Sequence, residues 1–432
     1  MIHTVLMLVL LAVGTIGSIL RGPFYGVACY YLFAVLRPQY MWEWALKLDI
    51  GWSFYVAVAA MLGTLVWWRT DVPASRNNPG STAMLAFAGW VTLSSIFALD
   101  PSVSYRFYIE YVKIFVMFFL SMRVLREFSQ IQVLYFIATV ALGYIAYEIN
   151  ALYVFQGRVD IYNYGYGGLD NNGAGLMLAM GIPLAFFLWQ GSRHWWRWAF
   201  VAMIPVLLHA VLMSYSRGAM LSLLLATPLM VVRSRNKRMM IVALTALLAL
   251  VPVLAGQEIR DRFFTLKQYQ QDGSANSRFA SWTAAFEIAK DYPILGAGVR
   301  NSDILSYQYG ADMEGRTIHS MYLQIAADSG FPALGFYLAI IYFTWFSLRQ
   351  FQKQHRHAQS CNEKLAFNIS CGLEVSLMIF VVGAFFLSLE NFELPFLLIL
   401  LSLKLPAMQP NEDYTQRSIK KVGGGHEKPS TF

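Results

Sequence analysis

Apolar runs long enough to cross a membrane as a helix recur along almost the whole of this 432-residue chain. About 20 helical residues span the hydrocarbon core of a bilayer, which is about 30 Å thick. Because only 13% of the residues are charged and 57% are hydrophobic, the sequence predicts an all-α polytopic membrane protein. The runs lie at residues 3–20, 23–36, 51–68, 83–99, 107–122, 132–155, 173–189, 195–213, 218–232, 239–255, 321–348, 365–389 and 392–405.

Basic residues between the runs predict the orientation of the chain, since positive charge marks the cytoplasmic ends of spans. This rule places the loops at 156–172 and 256–320 outside and the C-terminal tail inside. The pattern favours about twelve spans, with thirteen as the alternative if the N-terminus lies outside. The runs 3–20 and 23–36, separated by "RGP", decide between them, because they form either two spans or a broken hairpin. The basic clusters are Arg123 with Arg126, Arg193 with Arg197, residues 233–238 and residues 349–356.

These patterns divide the chain into four parts. Residues 1–255 are predicted to form an N-terminal transmembrane bundle, and residues 256–320 a large loop on the outer side that carries candidate site residues. Residues 321–405 form C-terminal transmembrane helices, and residues 406–432 a flexible cytoplasmic tail without apolar periodicity. We expect no cleavable signal peptide. The three cysteines show no metal-ligand spacing, and nucleotide-binding loops and zinc-protease motifs are absent from the sequence.

Arg217, in "MSYSRGAML", opens a predicted span on the outer side and is flanked by small residues. A guanidinium stays charged and can clamp a phosphate group. Alternatively, the side chain only reaches the membrane surface with its charged end.

The large loop contributes Arg278 as a second candidate. A helix is predicted near residues 278–290, and positive charge in its first turn opposes the helix dipole, which favours a functional role for this arginine. The predicted capping residues are Ser274, Asn276 or Ser277, and the predicted apolar face is Phe279, Trp282, Ala285, Phe286 and Ala289.

Arg300 is the third candidate. It follows Gly296 and Gly298, at a turn whose backbone N–H groups could bind an anion; a plain loop is the alternative. The glycine-rich stretch 163–175 is predicted to be a sugar-facing loop or a simple set of turns.

His319 closes the longest polar stretch of the chain, at the edge of the span that starts at residue 321. Histidine can accept a proton from a hydroxyl group near neutral pH. A lone histidine at a helix entrance is more commonly a satisfied interface residue. The arginines predicted on the same side of the membrane favour a role in chemistry.

At these residues the chain resembles the bacterial O-antigen ligase family, which includes O-antigen polymerases and protein O-oligosaccharyltransferases. The nearest likeness is the exosortase-associated O-glycosylation ligase branch. The family's arginine-x-x-x-leucine motif matches Arg217 to Leu221, and its second arginine matches Arg278 in "SRFASW". The histidine that ends the large loop, followed by a glycine, matches His319 and Gly330. The likeness in architecture covers most of the chain.

This resemblance implies a GT-C-like fold and a function at the periplasmic face of the bacterial inner membrane. The implied reaction moves a glycan from undecaprenyl pyrophosphate to an acceptor hydroxyl in one inverting step, without a nucleotide sugar, metal or cofactor. His319 would be the general base, while Arg217, Arg278 and Arg300 would bind the substrate. Membrane lipids are expected partners and nucleic acid is not.

The acceptor and the class of function stay open at this point. Lipid A-core ranks first among acceptors, with a protein or a growing glycan as alternatives. A transporter of lipid-linked oligosaccharides is a hypothesis of another class, supported by acidic residues in predicted spans, Glu110, Glu148 and Glu374. A scaffold of a polysaccharide assembly complex is a third.

Overall fold

The structure, a computed structural model, describes residues 2–42, 51–68, 78–238, 240–241, 273–357, 359–389 and 392–408. Most of the predicted span 239–255 and of the predicted tail lies outside these residues, as do residues 256–272 of the large loop. The described residues are nearly all helical and form no β-strand. Their helices are α1 (Ile2–Leu20), α2 (Phe24–Leu36), α3 (Pro38–Met41), α4 (Trp52–Val66), α5 (Pro79–Ile96), α6 (Pro101–Val124), α7 (Phe128–Gln156), α8 (Asp160–Tyr164), α9 (Asn171–Gly191), α10 (Arg197–Met213), α11 (Arg217–Arg233), α12 (Gly273–Asp291), α13 (Asn301–Leu305), α14 (Met321–Gln354), α15 (Cys361–Gly383) and α16 (Glu393–Lys404).

The predicted apolar runs that fall within the described residues coincide with helices. Among these residues, five helices are long and apolar enough to cross a membrane, namely α1, α7, α9, α14 and α15. Three shorter apolar helices are α2, α4 and α10. The prediction of an all-helical, multi-pass membrane protein is therefore confirmed, while the number of crossings stays a prediction.

Polar residues at the helix starts fix where several helices begin. The Asp100 carboxylate accepts the backbone N–H of Ser102 at 2.9 Å at the start of α6. The Asp170 carboxylate accepts the N–H of Gly173 at 2.7 Å at the start of α9. Each bond satisfies one of the N–H groups that the first helical turn leaves without a partner.

The centre of the bundle is formed by α9 and α15. Every residue of α9 from Gly173 to Leu188 is buried. A Cβ at Gly383 of α15 would clash with the side chain of Leu176 on α9, so glycine lets the two helices approach closely. The core of the molecule thus surrounds α9, which begins directly after the glycine-rich loop.

Hydrogen bonds between helix ends define one face of the bundle, which we call the loop face. The Asn171 amide at the start of α9 donates to the carbonyl of Ser214, which follows α10, at 3.0 Å. The Met321 N–H at the start of α14 donates to the carbonyl of Ala384, which follows α15, at 2.9 Å. Because Gly383, at the end of α15, packs against Leu176, near the start of α9, the starts of α9 and α14 lie at the same face.

The opposite face, which we call the tail face, carries the end of α16. The Asn78 amide before α5 and the Lys404 ammonium at the end of α16 both reach across this face. They donate to the carbonyls of Leu403 and Met122, each at 3.0 Å. The chain continues from this face into the predicted tail.

The two runs separated by "RGP" are two helices, α1 and α2, which pack against each other across a turn at Gly22. The His3 ring near the start of α1 lies 4.9 Å from that of Trp42, just after α3. Arg37, between α2 and α3, forms an ion pair of 2.8 Å with Glu393 at the loop-face start of α16. The N-terminal end of α1 therefore lies towards the loop face.

Gly330 divides α14 into two straight pieces. Its φ of 80° and ψ of 169° are not helical, and a Cβ there would clash with the Ile294 carbonyl. The first piece, residues 321–329, is almost entirely buried within the protein. Seven of its eight buried residues are at most 4% exposed, and the eighth, Tyr322, is 9% exposed. The single predicted span 321–348 is thus divided, and its lipid-exposed part starts after Gly330.

The segment 293–298 packs along this first piece of α14 through main-chain hydrogen bonds, a contact we call the seam. The N–H groups of Ala297 and Gly298 donate to the carbonyls of Ala327 and Asp328 at 2.9 and 2.8 Å. The Phe331 N–H donates back to Pro293 at 2.9 Å. The seam fixes the polar loop that precedes His319 on the bundle.

Candidate functional site

His319 lies directly before α14 and is half-buried. Its carbonyl accepts the indole N–H of Trp282 at 3.2 Å, and the Ile318 carbonyl accepts the Ser281 hydroxyl at 3.0 Å. Its φ of 56° is left-handed, a conformation that is uncommon for a residue other than glycine. Helix α12 therefore holds the backbone from which the imidazole projects.

Helix α12 begins earlier than the sequence indicated. It starts at Gly273, so the predicted capping residues Ser274, Asn276 and Ser277 lie inside the helix. Arg278 consequently lies in the second turn, and the prediction of a charge in the first turn was wrong. The sequence contains no strong local start signal, because several Ser and Asn residues follow one another in "GSANS".

The buried face of α12 also differs from the prediction. Ala285 and Ala289 are fully buried as expected, whereas Phe279 and Phe286 are 57% and 48% exposed. The face that packs against residues 297, 318 and 327 includes Ala285 and Ile288, and Trp282 packs beside them as predicted. Phe279 and Phe286 instead point away from this small core.

Charges around His319 favour its neutral form. Burial and the guanidinium of Arg278 hold the pKa of His319 below its ordinary value, and Arg316 and Arg300 act in the same direction. The carboxylate of Asp170 opposes them by raising this pKa. A neutral imidazole has a free nitrogen lone pair, so at neutral pH His319 can accept a proton.

Arg217 is the first residue of α11 and is half-buried. The hydroxyl of Ser216 caps this helix by accepting the Ala219 N–H at 3.2 Å. The Asn171–Ser214 hydrogen bond places the start of α9, and with it Asp170, beside this turn.

Aromatic contacts connect the Arg217 turn with the His319 loop. A Cβ at Gly218 would lie 3.6 Å from the side chain of Phe386, and the Phe386 ring lies 6.3 Å from that of Trp282. Since Trp282 donates to the His319 carbonyl, the structure brings Arg217, Arg278 and His319 to one region of the loop face.

Arg300 lies at the edge of this region, with its guanidinium engaged by the protein. It forms an ion pair of 2.9 Å with Asp303 and lies 5.5 Å from the centre of the Phe107 ring. Its charge still acts on His319. Its role in binding a substrate stays a prediction.

Asp328 is a residue that the sequence analysis missed. Its carboxylate accepts the N–H groups of Arg300 at 2.8 Å and Ser302 at 3.1 Å, and the Gln324 amide at 2.9 Å. The backbone N–H groups after the glycines thus bind an acidic group, as the sequence suggested, but this carboxyl group belongs to the protein. The available signal was an acidic residue in "AADSGFP", inside a predicted span.

Glu374, which supported the transporter hypothesis, is buried at the tail face. It forms ion pairs with Arg233 at 2.6 Å and Arg349 at 3.2 Å, and accepts the Gln352 amide at 2.9 Å. Glu110 forms a surface ion pair with a lysine one helical turn away. Among the residues that were placed, His, Cys, Asp and Glu side chains form no group of three that could hold a metal.

Residues 206–338 match the family model described as O-antigen ligase. No curated protein matches the chain. The matched segment contains Arg217, Arg278, Arg300 and His319, and the match confirms the predicted resemblance to the O-antigen ligase family. The likeness to the exosortase-associated branch stays a prediction.

Proposed function

We propose that this chain, which carries an O-antigen ligase domain, is a glycosyltransferase that acts on lipid-linked glycans. It moves a glycan from undecaprenyl pyrophosphate to an acceptor hydroxyl, with lipid A-core ranked first, at the periplasmic face of the bacterial inner membrane. One observation carries the proposal: His319 lies among Arg278, Arg300 and Arg316 at one face, inside the matched segment.

The imidazole of His319 serves as the general base. It removes the proton of the acceptor hydroxyl as the oxygen attacks the anomeric carbon of the glycan. The bond between that carbon and the pyrophosphate oxygen breaks on the opposite side, so the configuration inverts. General-base assistance accelerates such steps by about 10²–10⁴-fold.

The arginines stabilise the charge that develops on the departing pyrophosphate. Guanidinium groups bind phosphate oxygens with two parallel hydrogen bonds and keep their charge. Arg217 and Arg278 are assigned this role because they approach the site from two different helices. Such stabilisation is strongest in a site that excludes water.

The apolar helices hold the polyprenyl chain of the donor, and the loop face corresponds to the periplasm. The N-terminal end of α1 lies towards this face, so with a cytoplasmic C-terminal tail thirteen crossings are favoured over twelve in the expected GT-C-like arrangement.

Other acceptors and another class of function remain as alternatives. A protein hydroxyl or a growing glycan would use the same base and the same arginines, making the chain a protein O-oligosaccharyltransferase or an O-antigen polymerase. A transporter of lipid-linked oligosaccharide is less well supported, because Glu374 is paired within the fold. The site charges concentrate at one face.

The test is glycan transfer by the purified full-length protein. Wild type and His319→Ala are incubated with undecaprenyl-pyrophosphate glycan and EDTA, with lipid A-core, a serine-containing protein or a glycan offered in parallel. Product from wild type with one acceptor, and none from His319→Ala, supports the proposal and identifies the acceptor. If the protein translocates the donor in vesicles but transfers no glycan, it is a transporter and the glycosyltransferase proposal is wrong.

A further inference from the structure

Tyr215 has a backbone conformation that is costly for its residue type. Among the described residues, four that are not glycine have positive φ angles: Arg37, Tyr215, Arg300 and His319. Two of these belong to the site, and Tyr215, with φ of 52°, lies two residues before Arg217. Such conformations are retained mostly where the side chain is needed, since glycine would adopt them without strain.

The ring of Tyr215 is paired with that of Tyr162. The two ring centres lie 5.0 Å apart at an interplanar angle of 64°, which is the favourable edge-to-face arrangement. Tyr215 is half-buried and Tyr162 is 37% exposed, so part of the pair is accessible from solvent.

The short helix α8, which carries Tyr162, is anchored to the bundle. Ile161 is only 2% exposed. The Tyr166 hydroxyl donates to the Leu36 carbonyl, and the Arg37 guanidinium donates to the Gly167 carbonyl. The pair is therefore preorganised, and a ligand that binds it does not have to order it first.

The surroundings of Arg217 differ on its two sides. Towards Tyr215, the Asn171–Ser214 bond brings in the start of α9 and Asp170, whose carboxylate acts on His319. Towards Gly218, the neighbours are the apolar rings of Phe386 and Trp282. A bound anion at Arg217 would thus have a polar aromatic surface on one side and an apolar one on the other.

We propose that Tyr162 and Tyr215 form a subsite for the sugar residue attached to the donor pyrophosphate, which rests on the proposed function. A pyranose ring has an apolar C–H face and a hydroxyl-bearing edge. A tyrosine ring offers the matching apolar surface together with a hydroxyl group. The subsite recognises the glycan part of the donor, while Arg217 recognises the pyrophosphate.

The experiment measures binding of two probes to the full-length protein carrying His319→Ala, so that donor is not consumed. One probe is undecaprenyl pyrophosphate that carries the glycan, and the other is sugar-free undecaprenyl pyrophosphate. The added variants are Tyr215→Gly and Tyr162→Ala. The control is Tyr342→Ala, a tyrosine 62% exposed in the second piece of α14.

Tyr215→Gly should weaken binding of the glycan-bearing probe by about tenfold and leave the sugar-free probe unaffected. Its melting temperature should stay close to that of the parent, because the relief of the left-handed backbone offsets the loss of the ring contact with Tyr162. Tyr162→Ala should show the same selectivity, and Tyr342→Ala should bind both probes normally.

Equal weakening of both probes, or none, would overturn the subsite and leave the proposed function standing. If the parent protein binds neither probe, the proposed function fails and the subsite fails with it. Arg217→Ala separates these cases, because it should weaken both probes together when the donor site is real.

Discussion

Arginines meet carboxylates at both faces of this bundle, but the two groups differ in access to solvent. At the tail face Glu374 is fully buried, and Arg233, Arg349 and Gln352 satisfy its carboxylate. At the loop face the arginines that act on His319 include Arg300 and Arg316, which form partly exposed ion pairs with neighbouring aspartates, and an exposed Asp170 opposes their effect on His319.

The difference teaches how to separate structural from functional charge in such a chain. A buried carboxylate enclosed by cations holds helices together, and removing one partner leaves an uncompensated charge. Ion pairs that are partly exposed to solvent are weaker, so an anion from outside can compete for their arginines. Composition alone does not distinguish the two, because both use arginine and an acidic residue.

The largest effect is expected from His319→Ala. Loss of the general base should lower glycan transfer by about 10²–10⁴-fold without changing expression or the melting temperature. His355→Ala is the matched control, because His355 stacks on Phe351 beyond the end of α14 at the other face. Full transfer by His319→Ala would show that His319 and the charged residues around it take no part in the reaction.

Glu374→Gln should act on stability instead of transfer. It leaves two arginines facing a neutral amide, and breaking a buried ion pair costs about 3–5 kcal/mol. Thermal unfolding should show a lower melting temperature, while transfer per folded molecule is unchanged. Asp170→Asn is the equivalent change at the loop face, where asparagine still caps α9 and stability should be nearly unaffected. Equal destabilisation by both variants would contradict the claim that the tail-face carboxylate stabilises the fold more than the loop-face carboxylate does.

Arg217→Lys tests whether the loop-face arginines bind a planar anion. Lysine keeps the charge but loses the fork of two hydrogen bonds, which predicts a loss of about 10–100-fold in kcat/KM. The control is Arg193→Lys, at an exposed position between α9 and α10. Normal kinetics for Arg217→Lys would show that charge alone suffices or that Arg217 is not in contact with the substrate.

The smallest effects are expected in the pH profile of kcat/KM. Because the pKa of His319 lies below its ordinary value, the base is neutral at pH 7, and activity should fall only as the pH drops below about 6.5. Arg278→Gln removes a positive charge that lowers the pKa of His319, so kcat/KM should begin to fall at a higher pH. Asp170→Asn removes a negative charge that raises this pKa, so kcat/KM should begin to fall at a lower pH. Shifts of the same sign in both variants would contradict the electrostatic assignment.

The sequence predicted the helices well, because apolar length is a local property. The described helices follow the predicted runs, and even the hairpin at "RGP" was among the alternatives. The orientation of α12 was predicted less well, because its two phenylalanines lie on the exposed side. Hydrophobicity alone did not reveal that this helix packs on the core beneath it with Ala285, Ile288 and Trp282 and not with the two phenylalanines.

The sequence singled out three residues that the structure places in one region of the loop face, His319, Arg217 and Arg278. Their roles in binding and catalysis stay predictions. Asp170 and Asp328 were missed, because their importance arises from contacts between distant parts of the chain. Periodicity and charge counts contain no information on such contacts.

The seam between residues 293–298 and α14 has a consequence for how related chains can diverge. Its bonds join main-chain atoms, so most side chains along it can change without loss of these bonds. Gly296 and Gly298 are exceptions, since their positive φ angles and close neighbours exclude a Cβ, and so is Ala297, which is fully buried beneath α12. Ile294, at 63% exposure, is free to vary. Related chains can therefore change the exposed side chains of this segment while the histidine keeps its position.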